Sequence, residues 1–247
     1  MLTNGKLFCN MLLNILPKAL YVKLGVLFSG GKDSVFACCR AMEKNSVACL
    51  ITLISENEES YMFHTPNIRR TDLQAEAIGI PLLSWHTEGR KEEELLDLKA
   101  AIAAARERFG IDGVVTGAIE SVYQATRVQR ICRDLDLWCF NPLWQMDQVD
   151  YLRLLLSKGF EVIITGVFAY PFDDSWVGAM ITEERIQMLE GLSRRFQINP
   201  SGEGGELETF VVNGPIFQRG IEILKASKTY ENYRGRYIIE DMRLVDR

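Results

Sequence analysis

Apolar and polar positions alternate along the chain in blocks that predict strands and helices from Leu24 to about Phe140. Leu24-Gly25-Val26-Leu27-Phe28 is a short apolar run of buried-strand type, and Val35, Phe36, Cys39 and Met42 then recur on one helical face. Val47 to Ile54 reads as a second strand, Ile68 to Ile78 as a helix, and Pro81-Leu82-Leu83 as the start of a third strand. Leu95, Leu98, Ile102, Ala105 and Phe109 mark a long amphipathic helix. Gly113 to Gly117 reads as a fourth strand and Glu120 to Asp134 as another helix. This βαβα order predicts an α/β fold with a doubly wound parallel sheet and helices on both faces. Ligands of such folds sit beyond the carboxyl ends of the strands. Ser29–Ser34, Ser55–His64 and Gly117–Gln124 would lie on that rim.

The pattern changes after Asn141-Pro142-Leu143-Trp144. One helix (about Asp147 to Lys158) and one strand (Glu161 to Thr165) lead to an irregular loop, Tyr170 to Trp176, and then to a glycine-rich acidic loop. Short strand-like pieces follow around Thr209–Val212, Ile221–Lys225 and Tyr237–Ile239. Residues 22–140 are therefore expected to form a nucleotide-binding domain, and 141–247 a smaller α+β domain facing it across a cleft. Residues 1–21 stand outside both as an N-terminal extension. They lack a small-residue cleavage site before Val22, so we expect translation to start at position 22, with valine written for a GUG start codon.

The first chemistry lies in Ser29-Gly30-Gly31-Lys32-Asp33-Ser34, on the first strand-to-helix turn. Backbone N–H groups there, with the positive end of the helix dipole, can hold a phosphate or pyrophosphate. Lys32 adds a point charge, and Ser29 and Ser34 add hydroxyls. A Walker A loop is excluded, because Gly31 stands where its lysine would be, and a dinucleotide fingerprint lacks its third glycine. The string SGGKDS resembles the pyrophosphatase loop of the adenine-nucleotide alpha-hydrolase superfamily, a HUP-like fold whose members cut ATP between the α and β phosphates.

Composition narrows the class. The 247 residues are 47% hydrophobic and 25% charged, as in a globular domain, with a net charge of -5. General nucleic-acid binding is not expected at that charge, and no apolar run reaches the roughly 18 residues that span a bilayer. The six cysteines form no C-x-x-C pair, and with only His64 and His86 beside them a zinc site is not expected. Reduced cytosolic thiols are the plain reading.

A second constellation is Ser201-Gly202-Glu203-Gly204-Gly205-Glu206-Leu207-Glu208-Thr209. Its three carboxylates repel unless a cation or donor offsets them. It reads either as a solvated acidic loop or as a site for an amine or magnesium. Gly117 to Arg127 follows the fourth strand, with Ser121, Gln124 and Arg127 near one side of the opening helix turns. Arg127 can neutralise a phosphate or carboxylate, or make a surface salt bridge. His64 can touch a ligand or simply pack. Trp85, Trp138, Trp144 and Trp176 are core by residue type, though a tryptophan at the cleft can offer a cation–π face.

SGGKDS, Met62-Phe63-His64-Thr65-Pro66-Asn67, GAIESVYQATR, Pro142-Leu143-Trp144 and GEGGELETFV occur in the order found in archaeal and eukaryotic diphthine–ammonia ligases. The chain resembles that family from about Lys23 to near its C-terminus. The resemblance implies ATP-dependent adenylation of the diphthine carboxylate on elongation factor 2, release of pyrophosphate, and displacement of AMP by ammonia. It implies ATP and Mg²⁺ as cofactors, elongation factor 2 bearing diphthine and ammonium as partners, and a cytoplasmic location, with a homodimer left open. Ser29, Gly30, Gly31, Lys32, Asp33, Ser34 and Gly117 would bind nucleotide, Asp33 also helping to place magnesium. His64, Tyr123, Gln124, Arg127, Gly204 and Gly205 would meet substrate. Lys32, Glu203, Glu206 and Glu208 would be catalytic, the glutamates attracting the trimethylammonium, binding ammonium or deprotonating it. Three alternatives stand beside this reading: a related ligase of a small carboxylate, a tRNA-modifying pyrophosphatase-loop enzyme, and a nucleotide sensor without turnover.

Overall fold

The structure is a computed structural model that describes residues 22–56, 67–89 and 93–247. The N-terminal extension, His64 and the rest of Tyr61–Pro66 lie outside the described residues. The first part of the chain runs β1 (Lys23–Leu27), α1 (Lys32–Met42), β2 (Ser46–Ser55), a 3-10 turn at Ile68–Arg70, α2 (Thr71–Ile78), β3 (Leu82–Thr87), α3 (Glu93–Phe109), β4 (Gly113–Val115), α4 (Val122–Asp134) and β5 (Trp138–Phe140). Its five strands are all parallel, in the order β3-β2-β1-β4-β5.

The period-2 alternation of these strands sorts their side chains into two cores. Leu24, Val26, Phe28 and Leu50 join the core under α1 and α2. Cys49, Ile51, Leu53 and Val114 join the other, against Leu98 and Ile102 of α3 and Val128 of α4. Helices thus cover both faces, as the doubly wound pattern predicts. The strand order reverses between β1 and β4, so the loops after these two neighbours open side by side.

The second part contains α5 (Gln148–Ser157), β6 (Glu161–Val167), α6 (Glu183–Phe196), β7 (Leu207–Asn213), β8 (Gly220–Glu231) and β9 (Arg234–Val245). Its four strands are antiparallel, in the order β7-β6-β9-β8. Two elements differ from the sequence reading. Helix α6 stands where no helix was expected: it buries only Ile186 and Leu189 fully, and most of its residues are polar or charged. Its sequence signal is the cap: the Thr182 hydroxyl accepts from Arg185 N, with Glu183 and Glu184 in the first turn. The short pieces expected around Ile221–Lys225 and Tyr237–Ile239 are one hairpin of two 12-residue strands. Lys225, Ser227, Lys228 and Thr229 interrupt its apolar alternation, and Asn232 and Tyr233, both at positive φ (51° and 62°), make the tight turn.

Helix α1 belongs to both parts. One continuous buried cluster runs from β1 and α1 through α5 to β6 and β7. At its centre the Phe36 ring lies 5.6 Å from those of both Tyr151 and Phe160. Truncating such a buried phenylalanine costs about 3–5 kcal/mol. The outer edge of β7 docks on the turn after β1: Val211 N donates to Gly30 O at 3.0 Å. The buried Gln74 amide donates to Gly30 O and to Val211 O, at 2.9 and 2.7 Å. Among the described residues, no helix is long and apolar enough to cross a membrane.

Candidate active site

The turn between β1 and α1 is shaped for an anion. Gly30 adopts φ +78°, and a Cβ there would meet the Gln74 side chain at 2.1 Å, so only glycine fits. Helix α1 starts without a side-chain cap. Among the described residues, the N–H groups of Gly30 and Gly31 make no hydrogen bond. Ser34 Oγ accepts from Ser29 N at 3.2 Å and donates to Gly31 O at 3.0 Å, which holds the turn open.

Lys32 sits differently from a lysine that simply faces a phosphate. It is only 2% exposed, and its Nζ donates to Asp33 Oδ2 at 2.9 Å and to the Ser201 carbonyl. Asp33 in turn accepts from Tyr151 OH at 2.8 Å. Burial, then the Asp33 charge and hydrogen bond, hold the Tyr151 phenol well above its ordinary range, so it stays a donor. Gly117, just past β4, presses on this turn from the other side. A Cβ there would come within 2.7 Å of the Asp33 backbone carbon.

The glycine–glutamate loop precedes β7, and its three carboxylates have three different settings. Glu203 Oε1 accepts from the backbone N–H groups of Ile119, Glu120 and Ser121, at 3.1, 2.9 and 2.9 Å. It therefore sits at the N-terminus of α4, where a negative charge is favoured. Glu206 folds back on its own loop, with Oε1 accepting from Asn199 N and Nδ2 at 3.0 and 2.7 Å. Glu208 is on β7 itself. Its Oε2 is buried with no hydrogen-bond partner among the described residues, and burial pushes its carboxyl up to about 8 against the lowering effect of Arg236.

These loops wall one cavity of about 330 Å³. Ser29, Gly31, Lys32, Asp33, Ser34 and Gly117 line one side, and Glu203, Gly204, Gly205 and Glu208 another, with Gln124 at the wall as well. An apolar floor of Leu27, Ile51, Leu53, Leu98 and Val128 extends from the phosphate turn between β1, β2 and the two helices behind them. Such an apolar lining suits a heterocycle. Tyr123 and Arg127 are not in the wall: the Arg127 guanidinium stacks 3.3 Å from the centroid of the Tyr123 ring. Glu206 supports the loop from behind rather than lining the cavity.

Several functional neighbours escaped the sequence reading. Tyr151 is 118 residues from Asp33, and nothing local marks it. Gln148 Oε1 accepts from Ser201 N and Oγ, at 3.1 and 2.7 Å, and its Nε2 donates to Glu120 and Asn199. It thereby ties α5 to both loops. Thr209 Oγ1 accepts from Lys32 N at 3.1 Å, and its position directly after the glutamate string was the available hint. Among the described residues, no cysteine lines the cavity. Burial pushes the Cys38 and Cys49 thiols up to about 12.

A sequence model of the diphthamide synthase N-terminal domain matches residues 22–138, and one of the diphthamide synthase C-terminal domain matches 147–245. The chain belongs to the diphthamide synthase family. Among curated relatives of this diphthamide synthase family member, the diphthine–ammonia ligase of Rattus norvegicus is 34% identical over 222 residues, covering 82% of this chain and 83% of the relative. That of Homo sapiens is 32% identical over 220 residues, covering 81% and 82%. The Saccharomyces cerevisiae protein is 28% identical over 244 residues, covering 83% of this chain and 36% of its own. Among solved structures, one described as a predicted subunit of tRNA methyltransferase from Methanocaldococcus jannaschii is 16% identical, with a TM-score of 0.42, covering 78% of this chain and 98% of its own.

Proposed function

We propose that this chain is a diphthine–ammonia ligase. ATP adenylates the carboxylate of diphthine on elongation factor 2 and releases pyrophosphate; ammonia then displaces AMP to leave the amide. The observation that carries the reading is one cavity walled by both the phosphate turn and the glycine–glutamate loop. Family membership supplies the substrate.

In this reading residues 22–140 hold ATP and 141–247 present the modified histidine. Ser29, Gly30, Gly31, Ser34 and Gly117 hold the phosphates, where backbone donors stabilise the charge that grows on pyrophosphate. The apolar floor takes the adenine. Lys32 acts from its buried position, as a fixed positive charge behind the turn. Magnesium arrives with the nucleotide, and the one-third exposed Asp33 carboxylate, at 32%, is the group to meet it. Gln124, Gly204 and Gly205 face the substrate, Tyr123 and Arg127 act beside them, and His64 keeps its expected role in meeting substrate. The enzyme works in the cytoplasm with its protein substrate. A homodimer is compatible with the exposed Trp138 on edge strand β5, and sedimentation velocity reads it directly. The absence of a cysteine from the described cavity walls gives no support to a sulfur-transfer alternative.

The test is isotope exchange between pyrophosphate and ATP. Exchange that requires diphthine-bearing elongation factor 2 supports the reading. Exchange at equal rate without it, or none with it, contradicts the reading.

A further inference from the structure

The three glutamates of the loop do not have equivalent freedom. Glu203 is committed to three backbone donors at the start of α4. Glu206 is tied to Asn199 through one oxygen; its second oxygen is buried without a hydrogen bond among the described residues, but it lies beside Gly204 and outside the cavity wall. Glu203 and Glu208 both line the cavity, but among the described residues only Glu208 does so without a side-chain hydrogen bond.

The sheet explains how Glu208 is held there. It pairs with Gly166 of β6, and Gly166 pairs with Arg236 of β9, so the three positions form one row on one sheet face. Glycine in the middle makes room for the Phe168 ring on that face. A Cβ at Gly166 would come within 3.2 Å of the Glu208 Cβ and within 2.5 Å of the Phe168 ring. Glu208 is thus packed beside the Phe168 ring, with the Arg236 charge on the same row. The other charged groups at the cavity are Lys32, Asp33 and Glu203, and each already has a partner.

Building on the ligase reading above, we propose that Glu208 is the catalytic base that takes the proton from ammonium, while Glu203 and Glu206 shape the loop that presents it. An ammonium ion beside the carboxylate gives it one proton: the N–H bond breaks and a carboxyl O–H bond forms. The freed lone pair attacks the acyl carbon, and a C–N bond forms. The bond from that carbon to the AMP oxygen breaks, and AMP leaves with its electron pair. The nitrogen loses its second proton to the AMP phosphate or to water, and Glu208 returns its own to solvent. Its raised proton affinity matches the task, because a base near the operating pH transfers protons most effectively. The cation itself favours the ionised form on arrival.

Glu208→Gln separates this role from its neighbours. With full-length enzyme and diphthine-bearing factor, pyrophosphate exchange should stay within about twofold of wild type. Amide formation from ammonium chloride at neutral pH should fall at least about 100-fold, as for loss of a general base. Hydroxylamine is neutral at that pH and needs no base, so the variant should form the hydroxamate at near wild-type rate. Expressed per ammonium ion, the wild-type rate should rise through a limb near pH 8, and Arg236→Gln should move that limb upward. Amidation from ammonium at wild-type rate in Glu208→Gln overturns the proposal. So does loss of exchange, hydroxamate and amide together, or an unmoved limb in Arg236→Gln. A wild-type enzyme without factor-dependent exchange would instead sink the ligase reading itself.

Discussion

Glu208 also makes a prediction about stability that is independent of any reaction. Its carboxyl is raised from an ordinary 4.5 to about 8 in the folded protein. Between those two pH values the folded chain keeps a proton that the unfolded chain has released. Stability contributed by this group is therefore full below 4.5, declines as pH rises, and levels off above about 8. At about 1.4 kcal/mol per tenfold change in proton affinity, the ceiling on that decline is about 5 kcal/mol. Water entering the cavity, which Glu208 lines, lowers it. Glu208→Gln carries no proton to lose and adds only a pH-independent offset for its amide. Urea unfolding of both proteins from pH 4 to pH 9 should show the variant gaining on wild type by about 2–5 kcal/mol over that range. Parallel curves would refute the burial argument and remove the physical basis for Glu208 as a tuned base.

Other expectations follow from the same contacts. Glu203→Ala strips the acceptor from three N–H groups at the start of α4 and should cost about 2 kcal/mol in urea unfolding, with Glu203→Gln losing less because its amide oxygen still accepts. Gly117→Ala drives a methyl into the Asp33 backbone and should lower pyrophosphate exchange at least about tenfold, with the circular dichroism spectrum unchanged. Tyr151→Phe removes the donor to Asp33 Oδ1 and should cost about 1 kcal/mol, read by the same urea titration. Leu53→Trp fills the apolar floor and should raise the KM for ATP with little change in that for the protein substrate.

The parts that could be read from the sequence are those in which local pattern and tertiary position coincide. β1, the glycine turn and α1 are contiguous, so strand, glycines, lysine and helix face predict one another. The same holds for α3, whose Leu98, Ile102 and Ala105 are fully buried. Helix α6 and the C-terminal hairpin were hidden because their stability comes from few buried positions. The hairpin is half exposed, and β9 is secured by distant side chains: Asn67 donates to Tyr237 O and accepts from Ile239 N. In the site, residue types pointed to the glutamate loop but could not rank its members. Glu203, Glu206 and Glu208 lie within six positions of each other, yet their partners come from α4, from Asn199 and from the β6–β9 row. The Lys32–Asp33–Tyr151 chain likewise depends on α5 packing across α1.

The most direct test of the account follows both products of one incubation. Enzyme, ATP, ammonium and diphthine-bearing elongation factor 2 should yield AMP and pyrophosphate in step with conversion of the factor's carboxylate to its amide, read by peptide mass. Formation of ADP, or AMP without amide on the factor when ammonium is present, would contradict it.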